Sequence, residues 1–256
     1  QDAIDEYFTC FSNSRCRKEL LSSLDNILIL STHHTPQHIL SMAAFAETPQ
    51  LSYFDIPGRA NLSRLAFVVG GTAFVDNRVA NWPEVKGDPS SVPAQLFGTM
   101  PVIKHGDLLI GTSAATAVYA GDLGGLLGES AADRAICTMI VATNEDLRSL
   151  MLNTMFSSGE SKAANLAALP AAAGKFLAAV ERALNRKASE GPYFLGGDAP
   201  SLADLAVFDN VCSPYPGLRA LGVDLSAYPK VVACADAVGA TARVKAFVDG
   251  GWKLGA

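Results

Sequence analysis

Several residues of the sequence are of types that can take part in chemistry, and the composition leaves open a small anionic ligand, which needs only one or two local cations. Tyr53 lies in a strand-like run, and Arg59 follows it at the start of a helix-like run. A cation is electrostatically unfavourable at a helix N-terminus, which favours a functional role for Arg59 over a solvated one. Ser113 opens a second helix-like run, where backbone N–H groups can bind an anion. On the strand and helix patterns alone, Tyr53 remains a core residue and Ser113 an ordinary N-cap.

Two further pairs stand between these positions. Trp82 and Lys86 are four residues apart, and their plain interpretation is a tryptophan packed on the core and a surface lysine. Met100-Pro101 precedes a strand-like run, and only about 5–6% of X–Pro bonds are cis in folded proteins. Neither pair by itself indicates a particular ligand or reaction.

Composition excludes several classes of function. The 20 basic and 25 acidic residues give a net charge of −5, against the basic face that broad nucleic-acid binding needs. The five cysteines are too few for a disulfide scaffold, and Cys10 and Cys16 are too isolated for a zinc site. No uninterrupted apolar run approaches the ~20 residues of a membrane span. These features predict a cytoplasmic protein with reduced thiols, no metal, no nucleic-acid partner and no membrane association.

The elements that must position these residues divide into an α/β part and a helical part. Residues 1–41 differ in composition from the rest, and residues 1–45 are predicted to lie outside the fold, with Met42 a plausible natural start. A first domain is predicted at 46–122 and an all-helical domain at 130–256, beyond a glycine-rich linker. In the first domain, alternation and helical spacing predict these elements: strand 50–54, helix 59–69, strand 72–75, loop 76–95, hairpin 101–110 and a helix from Ser113.

Helix signals dominate the second half. Ser130 and Asp133, like Ser201 and Asp204, have the spacing of a capping box. They predict helices that begin at these serines, the first of them extending to about Phe156. The alanine-rich run at 161–189 has the composition of a strong helix former.

The sequence Leu51-Ser-Tyr-Phe-Asp-Ile-Pro-Gly-Arg-Ala60 resembles the opening of the sigma-class glutathione transferases, a family similar to glutathione-dependent prostaglandin D synthases and to S-crystallins. Other family-like motifs follow in the family's order: Asn81-Trp-Pro-Glu-Val-Lys86, Phe97-Gly-Thr-Met-Pro-Val102, Phe194-Leu-Gly-Gly-Asp-Ala-Pro-Ser-Leu-Ala-Asp-Leu205, Tyr228-Pro-Lys230 and Arg243-Val-Lys-Ala-Phe247. The resemblance covers about 46–249. It implies a thioredoxin-like domain followed by an all-helical domain.

The resemblance also assigns a role to each candidate residue. Tyr53 would donate its hydroxyl to the glutathione sulfur, and Arg59 would add positive potential there. A donor that bonds a thiolate better than a thiol lowers the thiol pKa from about 8.5. The remaining glutathione-binding positions implied are Trp82, Lys86, Thr99, Met100, Pro101, Thr112 and Ser113, with a cis bond before Pro101 and with Thr99 and Thr112 replacing the family's usual residues.

The helical domain would supply the rest of the site. The resemblance implies a homodimer in which Asp146 reaches the glutathione amine in the partner subunit. The pocket for a small hydrophobic electrophile is predicted to be lined by these residues: Phe54, Ile56, Arg148, Met151 and Met155. The expected activity is conjugation of glutathione, as in detoxification, with peroxide reduction or isomerisation by the same thiolate as variants. A non-catalytic binding or structural protein on the same scaffold is the alternative.

Overall fold

A four-stranded sheet organises the first part of the computed structural model, which describes residues 47–186 and 191–253. The chain divides at Glu47 into two units, and Thr48–Ala256 forms the second. The prediction that 1–45 lies outside the fold therefore concerns residues outside the described part. Strands β1 (Gln50–Phe54), β2 (Val75–Val79), β3 (Val102–His105) and β4 (Leu108–Gly111) lie in the order β2-β1-β3-β4.

The strand pairing brings the end of β1 beside the start of β3. β1 pairs in parallel with β2 and antiparallel with β3, where Ser52 lies opposite Val102. Tyr53 therefore follows the last β1–β3 pair on one side, and Pro101 precedes it on the other. Alternation in β1 buries Leu51 and Tyr53 on one face of the sheet. That face packs against the helices, so the side chain of Tyr53 is part of the core.

Nine helices are described in this part of the chain. They are α1 (Asn61–Gly70), α2 (Trp82–Gly87), α3 (Val92–Gln95), α4 (Ser113–Leu123), α5 (Ala131–Phe156), α6 (Gly159–Arg186), α7 (Leu202–Cys212), α8 (Pro229–Ala240) and α9 (Ala242–Asp249). Helices α1 and α4 pack on each other, and α7 contacts both α1 and α5. The core is thus continuous from the sheet into the helical part. A separation into domains 46–122 and 130–256 stays a prediction.

Several boundaries differ from the sequence prediction. The second strand is Val75–Val79 instead of 72–75, and the predicted loop 76–95 contains most of β2 together with α2 and α3. Pairing with β1 stabilises a polar segment, Val75-Asp-Asn-Arg-Val79, that has no apolar alternation of its own. Helix α1 begins at Asn61 because Gly58–Ala60 forms a separate 3-10 turn. The predicted hairpin, long helix and both capping boxes are confirmed.

The capping box of α5 gives a testable stability prediction. Ser130 accepts a hydrogen bond from Asp133 N at 3.0 Å, and Asp133 accepts one from Ser130 N at 3.0 Å. Replacing Ser130 with Ala leaves a helix N–H without its partner, so the free energy of unfolding should fall by about 1 kcal/mol. Chemical denaturation measures this. Thr143→Ala on the exposed face of the same helix should change it by less than about 0.5 kcal/mol.

Helix α6 is long enough to cross a membrane, and its most apolar 18-residue window has a mean hydropathy of 1.4. In this structure 28% of that window is buried inside the protein. Charged residues such as Lys175 and Glu181 interrupt its apolar runs, which is why a search for uninterrupted runs misses it. Core helices of soluble proteins pass the same test. Phe176, Leu177 and Val180 of α6 are buried in the core, as expected for a packed helix.

Candidate functional site

The hydroxyl of Tyr53 lies at the centre of the candidate site. Tyr53 is 5% exposed, and its hydroxyl oxygen accepts a hydrogen bond from the backbone N–H of Arg59 at 3.1 Å. Burial raises the pKa of this hydroxyl above its usual range, while the N–H of Arg59 and nearby guanidinium groups act in the opposite direction. Tyr53 is therefore protonated at neutral pH. Because its oxygen already accepts an N–H, its own proton is available for donation to a ligand.

The loop after Tyr53 is held by a buried arginine that sequence analysis did not select. Arg64 of α1 donates to the carbonyl oxygens of Ile56 at 2.7 Å and of Phe54 and Pro57 at 3.3 Å each. Its Nε also bonds both carboxylate oxygens of Asp76, at 3.0 and 3.2 Å. The guanidinium carbon lies 5.8 Å from the centre of the Tyr53 ring. Arg64 thus fixes the loop that connects Tyr53 to the 3-10 turn.

The guanidinium of Arg59 lies against α5. Its Nη1 pairs with Glu145 Oε2 at 3.0 Å, and its Nη2 donates to Ser149 Oγ at 3.1 Å. This pairing reduces the positive potential that sequence analysis expected from Arg59 near the tyrosine. The direct contact between the two residues is through the backbone N–H of Arg59. Glu145 and Ser149 are functional candidates that sequence reasoning missed, although their i, i+4 spacing places them on one helix face.

Glu145 also connects Arg59 to the start of α4. Ser113 Oγ donates to Glu145 Oε2 at 2.5 Å, so one carboxylate oxygen receives both groups. Ser113 is the first helical residue, and the N-cap is Thr112, whose side chain makes no capping bond. Thr112 has φ 71° and ψ 143°, a conformation that a β-branched residue adopts only under strain. A strained, uncapped helix N-terminus beside Ser113 is suited to an anionic group.

An aromatic chain links Trp82 to Tyr53. The Tyr53 and Phe54 rings meet edge to face at 5.1 Å, and the Phe54 and Trp82 rings do so at 5.7 Å. Trp82 is half-buried, and Lys86 is exposed one turn later on α2. Helix α2, which carries both Trp82 and Lys86, therefore lies beside the end of β1 where Phe54 is located.

The segment before β3 completes this edge. The bond between Met100 and Pro101 is cis, as the resemblance implies. Met100 is buried and Thr99 is exposed. Because Val102 pairs with Ser52, Met100 and Pro101 lie alongside the end of β1 that carries Tyr53.

The five residues predicted to line the electrophile pocket differ in their exposure. Arg148 is 1% exposed and pairs with Asp209, and Met151 is fully buried in the core. Both side chains are enclosed by the protein core, and their assignment to the electrophile pocket stays a prediction. Helical spacing by itself does not distinguish a helix face toward solvent from a helix face toward α7. Phe54, Ile56 and Met155 retain partly exposed surface and stay candidates.

Other predicted features concern the surroundings of the site. Asp146 is exposed on α5, next to Glu145. Cys137 and Cys234 are buried and form no disulfide. Burial raises the pKa of the Cys137 thiol, and it raises the pKa of the Cys212 thiol to about 11, so these two thiols are not activated. Within 47–186 and 191–253, no three His, Cys, Asp or Glu side chains form a possible metal-binding group.

Comparisons with known proteins find similarity to glutathione S-transferases and prostaglandin D synthases. Residues 145–250 match the model of the family described as "Glutathione S-transferase, C-terminal domain". Hematopoietic prostaglandin D synthase of Gallus gallus is 32% identical over 103 residues, or 40% of this chain and 49% of that protein. Glutathione S-transferase 1 of Ascaris suum is 29% identical over 172 residues, or 64% of this chain and 79% of that protein. The chain thus spans about half of the first relative and most of the second.

A solved structure shows the same fold. A monomeric glutathione S-transferase of the hookworm Necator americanus has a TM-score of 0.67 and 21% identity, covering 80% of this chain and 97% of that one. At this identity the likeness establishes the fold alone. It confirms the predicted architecture, a thioredoxin-like region with a small sheet followed by a helical region.

Proposed function

We propose that this chain, a relative of the glutathione S-transferases that has their fold and, over residues 145–250, their C-terminal domain, binds glutathione and activates its thiol for attack on electrophiles. The observation that carries the proposal is the Tyr53 hydroxyl, which is buried, protonated and already bonded to the N–H of Arg59. Such a hydroxyl has one proton to donate and is oriented before any ligand arrives. It is suited to stabilising a single developing anion.

The two ends of glutathione find complementary groups on either side of Tyr53. We assign the glycyl carboxylate to Trp82 and Lys86, which supply an indole N–H and an ammonium group. We assign the γ-glutamyl carboxylate to the N–H groups at the start of α4 and to Ser113, whose hydroxyl would exchange its bond to Glu145 Oε2 for one to the ligand. The backbone at Met100 and Pro101, together with Thr99 and Thr112, would bond the central part of the tripeptide as an added strand does.

The chemical step then has few components. Hydrogen bonding from Tyr53 favours the thiolate over the thiol and lowers the thiol pKa, so the proton leaves to water. The sulfur lone pair attacks an electrophilic carbon, a carbon–sulfur bond forms, and the leaving group departs with its electron pair. Phe54, Ile56 and Met155 would provide the apolar side of the electrophile site. Cytoplasmic location and a role in detoxification belong to this proposal.

A conjugation assay tests the proposal directly. Retention on immobilised glutathione and turnover of a chromogenic aryl halide are the expected results. Binding without turnover across several electrophiles would instead support the alternative, a non-catalytic protein on the same scaffold. Absence of both binding and turnover would contradict the proposal as a whole.

We also propose that the chain forms a homodimer through α5. Ile136 and Met139 of this helix are incompletely buried, and Met139 is 54% exposed, which leaves apolar surface for a second copy. The hookworm relative is monomeric, so the fold alone does not impose dimerisation. Sedimentation at micromolar concentration decides the matter, and a monomer would contradict this proposal.

Within such a dimer, we expect Asp146 to interact with the amine of glutathione bound by the partner subunit. Asp146→Asn should weaken glutathione binding about two- to fivefold, because an exposed charge pair contributes up to about 1 kcal/mol. Calorimetric titration measures the affinity, and sedimentation confirms that the mass is unchanged. Asp107→Asn, on an exposed turn between β3 and β4, is the matched control. An unaltered affinity in Asp146→Asn would contradict the role of Asp146 and would not bear on the proposed dimer.

A further inference from the structure

We infer that Asp209 of α7 is a positioning residue for Tyr53, because through Asn61 it fixes the turn whose backbone N–H bonds the tyrosine hydroxyl. The inference rests on the proposed function, since it concerns the hydroxyl assigned to thiol activation. Sequence analysis selected neither Asp209 nor Asn61. They come from distant parts of the chain and meet only in the folded protein.

The connection begins at the 3-10 turn Gly58–Ala60. The N–H of Arg59, in the middle of this turn, donates to the Tyr53 hydroxyl at 3.1 Å. Neither the turn nor α1 begins with a side-chain cap, because Pro57 and Ala60 make no capping bond. The turn therefore depends on contacts from elsewhere in the chain for its exact placement.

Asn61 provides such a contact immediately after the turn. Its Nδ2 donates to Asp209 Oδ1 at 2.6 Å, and both residues are fully buried. Asp209 is bonded in turn to the buried guanidinium of Arg148 on α5, which also donates to Asn210 Oδ1 at 3.1 Å. Arg148 lies beside Ser149, which receives the guanidinium of Arg59. Helices α5 and α7 thus hold the turn at two points, the side chain of Arg59 and the side chain of Asn61.

The polar cluster is unusual for a protein core. Within the described residues, six buried side-chain polar atoms lack a hydrogen-bond partner. Three of the four residues that carry them, Asn61, Arg148 and Asn210, belong to the cluster around Asp209, and the fourth is Asn144. Incompletely paired polar groups destabilise a core, and an apolar cluster of the same volume would pack without that cost. Such exceptions are expected near functional sites. We therefore attribute the retention of this destabilising cluster to its role in fixing the geometry around Tyr53.

A double-mutant cycle tests this role. Asp209→Asn and Asn61→Ala should each raise the pKa of the bound glutathione thiol by about one unit, which lowers the thiolate fraction below that pKa about tenfold. The double variant should show no further rise, since both changes break one connection. Ultraviolet absorbance of the thiolate, followed against pH, measures the pKa.

Asp204→Asn is the matched control for a merely structural effect. Asp204 is also buried in α7, but its carboxylate bonds Ser201 and the N–H of Phe194, away from the turn. This variant should lower the unfolding temperature and leave the thiol pKa unchanged. A folded Asp209→Asn protein with the wild-type thiol pKa would overturn the inference. If Asp209→Asn does not fold, Asn61→Ala, which retains the Asp209–Arg148 pair, decides by the same criterion.

The inference can be separated from the proposed function. If the wild-type protein does not bind glutathione, the proposed function fails, and the ligand-free protein still provides a readout. The pKa of the Tyr53 hydroxyl, measured by NMR with labelled tyrosine, should rise in Asn61→Ala because the N–H that stabilises the tyrosinate moves away. An unchanged tyrosine pKa would overturn the inference there too.

Discussion

Replacing Tyr53 with Phe should raise the pKa of the bound glutathione thiol by about two units, equivalent to roughly 2.7 kcal/mol. The variant lacks the only group assigned to donate a proton to the sulfur, while the surrounding ring contacts with Phe54 stay in place. The rate of conjugation should therefore fall at least about tenfold at neutral pH, and glutathione should still bind. The loss should shrink as the pH rises through the new thiol pKa, where the thiolate forms without help.

The matched control for this change is Tyr228→Phe. Tyr228 Oη donates only a long hydrogen bond, 3.4 Å to the carbonyl of Gly174, in the helical part of the chain. Its removal should leave the pH–rate profile unaltered. A Tyr53→Phe protein whose thiol pKa equals that of the wild type would contradict the assignment of Tyr53, whatever the change in turnover.

Replacing Gly58 with Ala should be nearly as damaging, because Gly58 lies against the same hydroxyl. A Cβ at this position would stand 2.8 Å from the Tyr53 oxygen and 3.0 Å from its Cε1, closer than packed atoms allow. The backbone φ of 47° is strained for any residue with a Cβ. The tyrosine, the turn, or both must move. We expect turnover at neutral pH to fall about tenfold and the thiol pKa to rise by about one unit.

A substitution at Gly125 is the control that distinguishes the effect of the steric clash from the effect of backbone strain. Gly125 has a φ of 68°, and a Cβ there would meet no atom within 4 Å. Gly125→Ala should therefore destabilise the fold by about 1 kcal/mol, as left-handed strain does, and leave activity per folded molecule unchanged. If Gly58→Ala and Gly125→Ala lose stability alike and both keep the wild-type thiol pKa, the contact between Gly58 and Tyr53 has no catalytic consequence.

Local patterns in the sequence determined much of the architecture. The capping boxes at Ser130 and Ser201 mark the starts of α5 and α7, because the side chains that satisfy helix N–H groups lie within three residues of one another. The alternation of Gln50–Phe54 predicts β1 for a similar reason. Positions joined to a family motif, such as the cis bond before Pro101, were also predictable from the sequence. In each case the information lies in a short stretch of chain.

The tertiary structure decided what surrounds Tyr53. Strand β2 forms from a polar segment because β1 is beside it, and Arg148 belongs to the core because Asp209 faces it. The pair Asn61–Asp209 spans 148 positions, and the contact of Arg59 with Glu145 spans 86. A side chain's neighbours at such separations depend on helix packing, which no local spacing records. The sequence thus predicts a role for Tyr53 from its motif, and the packing of α5 and α7 determines how the turn beside its hydroxyl is held.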